Sequence, residues 1–119
     1  VAARTVPKMC LVSPPTQGGA INTRSFIPHR CHASIGVLGA VSVATAVAVP
    51  GSVCEGVAIM PAGDAPTLGI EHPTGELSVQ LNLDRSGGSV QVSSAALIRT
   101  ARWLFDGHVH VPQRVWLGK

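Results

Sequence analysis

The run ASIGVLGAVSVATAVAV, from Ala33 to Val49, carries no charged side chain and no proline and is closed by Pro50-Gly51. From His29 or Arg30 to Val49 there is no acidic residue either, so the pattern predicts one helix over about 30–48 that is apolar on every side. Such a helix is buried in protein or spans a membrane. At 1.5 Å per residue the uncharged run covers roughly 25 Å, short of the about 30 Å hydrocarbon core of a bilayer. It also holds Ser34, Ser42 and Thr45. A buried helix follows, with no membrane partner. Gly36, Gly39, Ala40 and Ala44 would let strands approach its axis from all sides, making the helix the core itself.

The flanking segments read as strands. VPKMCLVS (Val6–Ser13) is apolar and β-branched and ends at Pro14-Pro15, and AINTRSFI resumes an extended pattern after QGG. Beyond the helix come CEGVAIM, APTLGIEH, ELSVQLNLD, SVQVSSAALIRTARWLF and GHVHVP, separated by PAGD, HPTG, RSGG and DG. In ELSVQLNLD, Leu77, Val79, Leu81 and Leu83 alternate with Ser78, Gln80 and Asn82, the period of a half-buried strand. The expected class is α+β, with about seven strands in a curved mixed sheet wrapped around one central buried helix. A length of 119 residues predicts a single domain over 1–119.

Composition narrows the partners. Apolar residues make up 45% and charged ones 13%, the profile of a folded chain with an Ala/Val/Gly interior. The formal charge of +3 comes from seven Arg and two Lys scattered along the sequence. Nucleic-acid binding needs clustered cations, so none is expected. The three cysteines, Cys10, Cys31 and Cys54, are odd in number and lack metal-finger spacing, which predicts a reducing, cytoplasmic setting. The opening VAARTVPK lacks an initiator methionine and raises the expectation of a fragment.

Chemistry-bearing residues concentrate in IPHRCHASIG. His29, Arg30, Cys31 and His32, followed by Ser34, fall where the predicted helix begins, and a helix start offers unpartnered amides and a positive dipole end. One reading is a carboxylate cradle in which Arg30 or a histidine assists and the dipole draws Cys31 toward thiolate. The other is a solvated helix start with a buried cysteine. A zinc site on His29, Cys31 and His32 is the weakest, because no second ligand pair stands at standard spacing. Cys54 and His72 would join it only by accident of fold, and His108 and His110 form at most a weak pair. HPTG (72–75) has turn chemistry. Arg99 and Arg102, on opposite faces of a strand, could not both serve one anion site. No phosphate loop, nucleophile triad or paired carboxylates are present, so no catalytic residue is assigned within the chain.

Taken in order, PKMCLVSPP, RSF, the histidine-bearing turn, HASIGVLGAVSVATAVAVPGS, HPTGELSVQ and RTARWLFDGHVHVP resemble the C-terminal domain of the PrpF family. That family comprises 2-methylaconitate isomerases and 4-oxalomesaconate tautomerases. The resemblance covers nearly the whole chain and implies a diaminopimelate epimerase-like fold. In that fold two similar domains each wrap a sheet around a central helix, and the ligand lies between the helix N-termini. It implies allylic proton transfer on a tricarboxylate without a cofactor or metal, with the lysine and cysteine acid/base groups on an N-terminal domain. Lys8 and Cys31 do not replace them, so the isolated chain is expected to be inactive. His29, Arg30, Cys31, His32 and Ser34 then become substrate-carboxylate contacts. The partners implied are a small carboxylate substrate and either the missing N-terminal domain or a second copy of the chain. Where many isomerase members carry Ser-Met-Gly, this chain has Ile27-Pro28-His29. That difference points toward the oxalomesaconate side. The alternative from another class is a free-standing dimeric binding or structural module that keeps the half-fold without catalysis.

Overall fold

The computed structural model describes residues 8–27 and 29–117. Among them the chain forms β1 (Met9–Ser13), β2 (Ile21–Phe26), α1 (Val37–Ala48), β3 (Thr67–His72), β4 (Gly75–Asp84) and β5 (Gln91–Ile98). The class is α+β, one helix on a five-stranded mixed sheet whose spatial order follows the sequence. β1 and β2 form an antiparallel hairpin, with Met9 opposite Phe26 and Ser13 opposite Asn22. β2 and β3 are parallel, and α1 lies in the connection that parallel pairing requires. β3, β4 and β5 then form an antiparallel meander with an irregularity between Asn82 and Leu83.

The alternation in β4 sets the inner face. Leu77, Val79, Leu81 and Leu83 are buried, joined by Leu68 and Ile70 from β3 and by Ile21 from β2. α1 lies on this face and packs against β3, β4 and β5. Ala40, Val43, Ala44 and Ala48 are its buried residues, a stripe at helical spacing whose small side chains bring the helix axis close to the sheet.

Two expectations about the helix are corrected. It begins at Val37 rather than near residue 30, because the chain first completes a reverse turn after β2 and Gly36, in extended conformation, supplies the N-cap. Nor is it buried on all sides: Leu38 is 80% exposed and Val37 50% exposed, since the sheet covers one face only.

The seven expected strands are five among the described residues. CEGVAIM forms turns instead, in which Val57 and Ala58 donate to the Cys54 carbonyl and Gly56 takes φ +73°. Its backbone groups are used locally, and only Ile59 reaches across to the Ala20 carbonyl. Cys54, the first residue of this turn, is buried, and burial pushes its thiol up against the opposing bond from Ser52. GHVHVP has no ladder partner among the described residues, and β5 stops at Ile98 rather than running on through RTARWLF. Residues 99–117 contain no strand or helix and every one is exposed. The start of the expected first strand, before Lys8, lies outside the described residues.

The outer face of the sheet holds a buried carboxylate. Glu71, 1% exposed, accepts from the backbone amides of Thr16 (2.8 Å), Gln17 (2.7 Å) and Gly19 (2.9 Å) and from the Thr16 hydroxyl (3.2 Å). Burial alone would push this carboxyl up, but the four donors together outweigh it and hold it below its ordinary value. The β1–β2 loop is thereby fixed to β3. The approach is close: a Cβ on Gly19 would stand 2.8 Å from both the Gly69 carbonyl oxygen and the Glu71 Cγ.

Candidate functional site

β2 does not run directly into the helix. Cys31 folds back to bridge Phe26, the Ile27 amide donates to the Arg30 carbonyl (3.2 Å) and the His32 amide donates to the Ser25 carbonyl (2.8 Å). His29 and Arg30 occupy the tip of the resulting turn. Pro28 lies outside the described residues. The turn is tied to the far side of the sheet by Thr74, whose hydroxyl donates to the Ala33 carbonyl at 2.9 Å. Thr74 sits in the two-residue connection between β3 and β4, where His72 pairs with Gly75 and the Thr74 amide makes a long contact of 3.4 Å to His72 Nδ1. HPTG is therefore the predicted turn, and it also anchors the neighbouring segment.

All five side chains singled out in the sequence, His29, Arg30, Cys31, His32 and Ser34, are exposed. They are brought together as one surface turn preceding α1, not as its first turn. Cys31 is exposed, against the reading of a buried cysteine at the helix start, and its Sγ lies 3.7 Å from the His32 carbonyl oxygen. Because the dipole of a helix acts over its first turn, the residues it serves here are others.

Those others line a groove of about 530 Å³ between β1, the end of β2 and the start of α1. Gly36 has no side-chain cap, and the amides of Val37, Leu38 and Gly39 precede the first intrahelical bond, Ala40 to Gly36. Lys8, Cys10 and Ser25 stand in the same groove, with the Ser25 hydroxyl 3.6 Å from the Cys10 sulfur. A cation, a hydroxyl and amides with no intrahelical partner make this end of the helix suited to an anion. Sequence reasoning missed Cys10 and Ser25 because they belong to strands; only their antiparallel register, Cys10 opposite Ser25, pairs them.

A second groove of about 440 Å³ opens on the other flank, lined by Ser34, His72, Glu76, Ser78, Arg99 and Thr100 among others. Of the two arginines considered for anion binding, Arg99 thus reaches the neighbourhood of the turn. The strand argument separating it from Arg102 does not apply, because β5 has already ended. His108 and His110 lie in the exposed terminal segment. Among the described residues no three His, Cys, Asp or Glu side chains converge as a metal set would. No helix among them is long and apolar enough to cross a membrane.

Comparison with known proteins agrees with this architecture. The family model described as PrpF protein matches residues 1–112. A 4-oxalomesaconate tautomerase of Pseudomonas putida is 53% identical over 99% of this chain, which corresponds to 32% of that protein. A (4E)-oxalomesaconate Delta-isomerase of Novosphingobium sp. is 60% identical over 93% of this chain and 30% of its own length. The crystal structure of a methylitaconate-delta-isomerase superposes with a TM-score of 0.65 at 23% identity, covering 99% of this chain and 33% of that one. The chain therefore spans about a third of the length of the relatives it matches.

Proposed function

The chain belongs to the PrpF family, and from that premise we propose that it is the substrate-carboxylate-binding, C-terminal domain of a cytoplasmic isomerase of the oxalomesaconate type. The observation that carries the proposal is the exposed His29–His32 turn, pinned at both ends by the Ser25 and Ala33 hydrogen bonds and set beside the uncapped start of α1. Arg30, His29 and His32 present donors to carboxylates, and the amides of Val37 to Gly39 with Lys8 offer a second anion position. Such contacts would hold a tricarboxylate while a proton leaves the carbon alpha to one carboxylate and returns at the far end of the double bond. The developing enolate charge would fall where these donors stabilise it. The groups that remove and return the proton belong, in this reading, to the two-thirds of the family's length that this chain does not span. The epimerase-like wrap of a sheet around the helix would be completed there as well. The substrate preference rests on the two oxalomesaconate relatives at 53% and 60% identity.

The test uses the 119-residue chain itself. It is expected to leave 4-oxalomesaconate unchanged, yet to bind tricarballylate, a saturated tricarboxylate, in a calorimetric titration that Arg30→Ala weakens roughly tenfold, the loss of one charge-assisted contact. Turnover by the isolated chain that disappears in Cys31→Ala would overturn the division of labour. Binding unaffected by Arg30→Ala and His32→Ala would overturn the site.

A second reading, a free-standing dimeric module, has its own motivation in the extensive apolar surface of residues 103–117. A stable dimer in sedimentation equilibrium, with no family activity after addition of any complementing polypeptide, would favour it.

A further inference from the structure

The groove of about 440 Å³ on the far flank of the His29–Ser34 turn gathers hydrogen-bond donors from separate parts of the chain. Ser34 comes from the turn, His72 from the end of β3, and Arg99 and Thr100 from the residues that directly follow β5. The buried side chains of Ile35 and Leu77 also line it, and apolar surroundings strengthen any ionic contact made there. His72 is placed by its neighbours: its ring edge lies beside Gly75, and Nδ1 faces the Thr74 amide at 3.4 Å. That amide can donate only to an unprotonated Nδ1, which puts the proton of a neutral His72 on Nε2. The Thr74 hydroxyl is engaged by the Ala33 carbonyl, so one strut holds His72 and the residue before Ser34 together. Glu76 is the acidic residue lining the groove, and its charge is directed elsewhere. Its carboxylate lies over Gly69, where the missing Cβ makes room, and accepts from the Ser78 hydroxyl at 3.1 Å. Arg99 is left without a carboxylate. Among the described residues Arg85 pairs with Asp64, and Arg24 donates to the Asn22 side chain and the Thr23 carbonyl, but no acceptor reaches the Arg99 guanidinium.

We propose that this groove is a further carboxylate subsite, with Arg99 as its specificity-determining residue. The inference deepens the proposed function and rests on it for the class of ligand. A tricarboxylate has one anionic group more than the turn at 29–32 and the start of α1 can hold between them. Arg99 takes that group: a planar guanidinium grips a carboxylate through two parallel N–H bonds, and the Ser34 and Thr100 hydroxyls donate to its remaining lone pairs. Nε2–H of His72 adds a neutral donor on the side of β3. Selection follows from the same geometry. A dicarboxylate that fills the other positions leaves Arg99 in water, so the groove rewards the additional carboxylate and nothing else in the ligand.

The test is a calorimetric titration of the 119-residue chain with tricarballylate and with methylsuccinate, the same skeleton lacking one terminal carboxylate. Wild type is expected to bind tricarballylate roughly tenfold more tightly, the worth of one charge-assisted contact. Arg99→Ala is expected to erase that margin, weakening tricarballylate about tenfold and methylsuccinate less than about twofold. Arg99→Lys keeps the charge without the fork and should restore part of the margin. Arg102→Ala removes an equal charge from outside the groove and should bind both ligands as wild type does. Arg99 is exposed, so the urea midpoints of the variants should match that of wild type. Tricarballylate binding unchanged in Arg99→Ala but still weakened by Arg30→Ala overturns the subsite and leaves the proposed function standing. An equal loss in Arg102→Ala makes the effect one of net charge and overturns the subsite as well. Failure of wild type to bind tricarballylate overturns the carboxylate reading itself, and the subsite with it.

Discussion

At the scale of single residues, Glu71 is the clearest case of burial made tolerable by hydrogen bonding. Its folded-state value is held below the ordinary one, so it binds its proton more weakly when folded than when unfolded. The stability it contributes is fully present above the unfolded value and is lost as pH falls through the folded one. Glu71→Gln is therefore expected to lower the urea midpoint at neutral pH, with the gap to wild type closing in acid. A gap that stays constant into acid would show the carboxylate's charge to be irrelevant. Asp84, also held low by the Ser86 hydroxyl and amide, titrates equally in both proteins and cancels. The two close-packed glycines separate by what surrounds them. A Cβ at Gly19 meets the Gly69 carbonyl, which is backbone, whereas one at Gly69 meets the Glu76 carboxylate, the movable end of a side chain. Gly19→Ala should cost about 1–3 kcal/mol in chemical denaturation and Gly69→Ala distinctly less. Equal costs would mean that the loop, too, yields freely. None of this was legible beforehand: Glu71 reads as one more polar position in APTLGIEH until the loop at 16–19 folds over it.

At the scale of elements, the alternation of ELSVQLNLD specified β4 and its buried face correctly, and the turn chemistry of HPTG placed the β3–β4 connection. The helix was legible in existence and in its end near Pro50, but not in its beginning. Residues 30–36 have helix-compatible composition; the Phe26–Cys31 bridge and the Thr74 bond to Ala33 claim their backbone first. The one-sided burial of α1 gives opposite expectations for two substitutions. Ala44→Leu, on the fully buried side, should destabilise by about 1–3 kcal/mol through overpacking. Leu38→Lys, in water, should stay within about 0.5 kcal/mol. Thermal or urea unfolding of the two variants checks this, and a large loss in Leu38→Lys would show the outer face to be covered in solution.

At the scale of the whole molecule, residues 101–117 are all exposed, and their backbone bonds, from Val115 and Trp116 to the Pro112 carbonyl, stay within the segment. Deleting residues 101–117 is expected to change the unfolding free energy by no more than about 0.5 kcal/mol, while the hydrodynamic radius falls. A large loss of stability would place the segment against the folded body. The sequence by itself determined the α+β class, the strand that defines the inner face, the family and the cluster of His29, Arg30, Cys31, His32 and Ser34, because periodicity and motif order are local properties of the chain. Tertiary structure alone decided that this cluster forms a turn ahead of the helix. It also decided that Lys8, Cys10 and Ser25 stand at the helix start, that Arg99 joins the turn's far flank, and that residues 99–117 pair with no strand among the described residues. Each of these depends on backbone hydrogen bonds and neighbours distant in sequence, and a strand without a neighbouring edge has no partner for its amides, whatever its pattern.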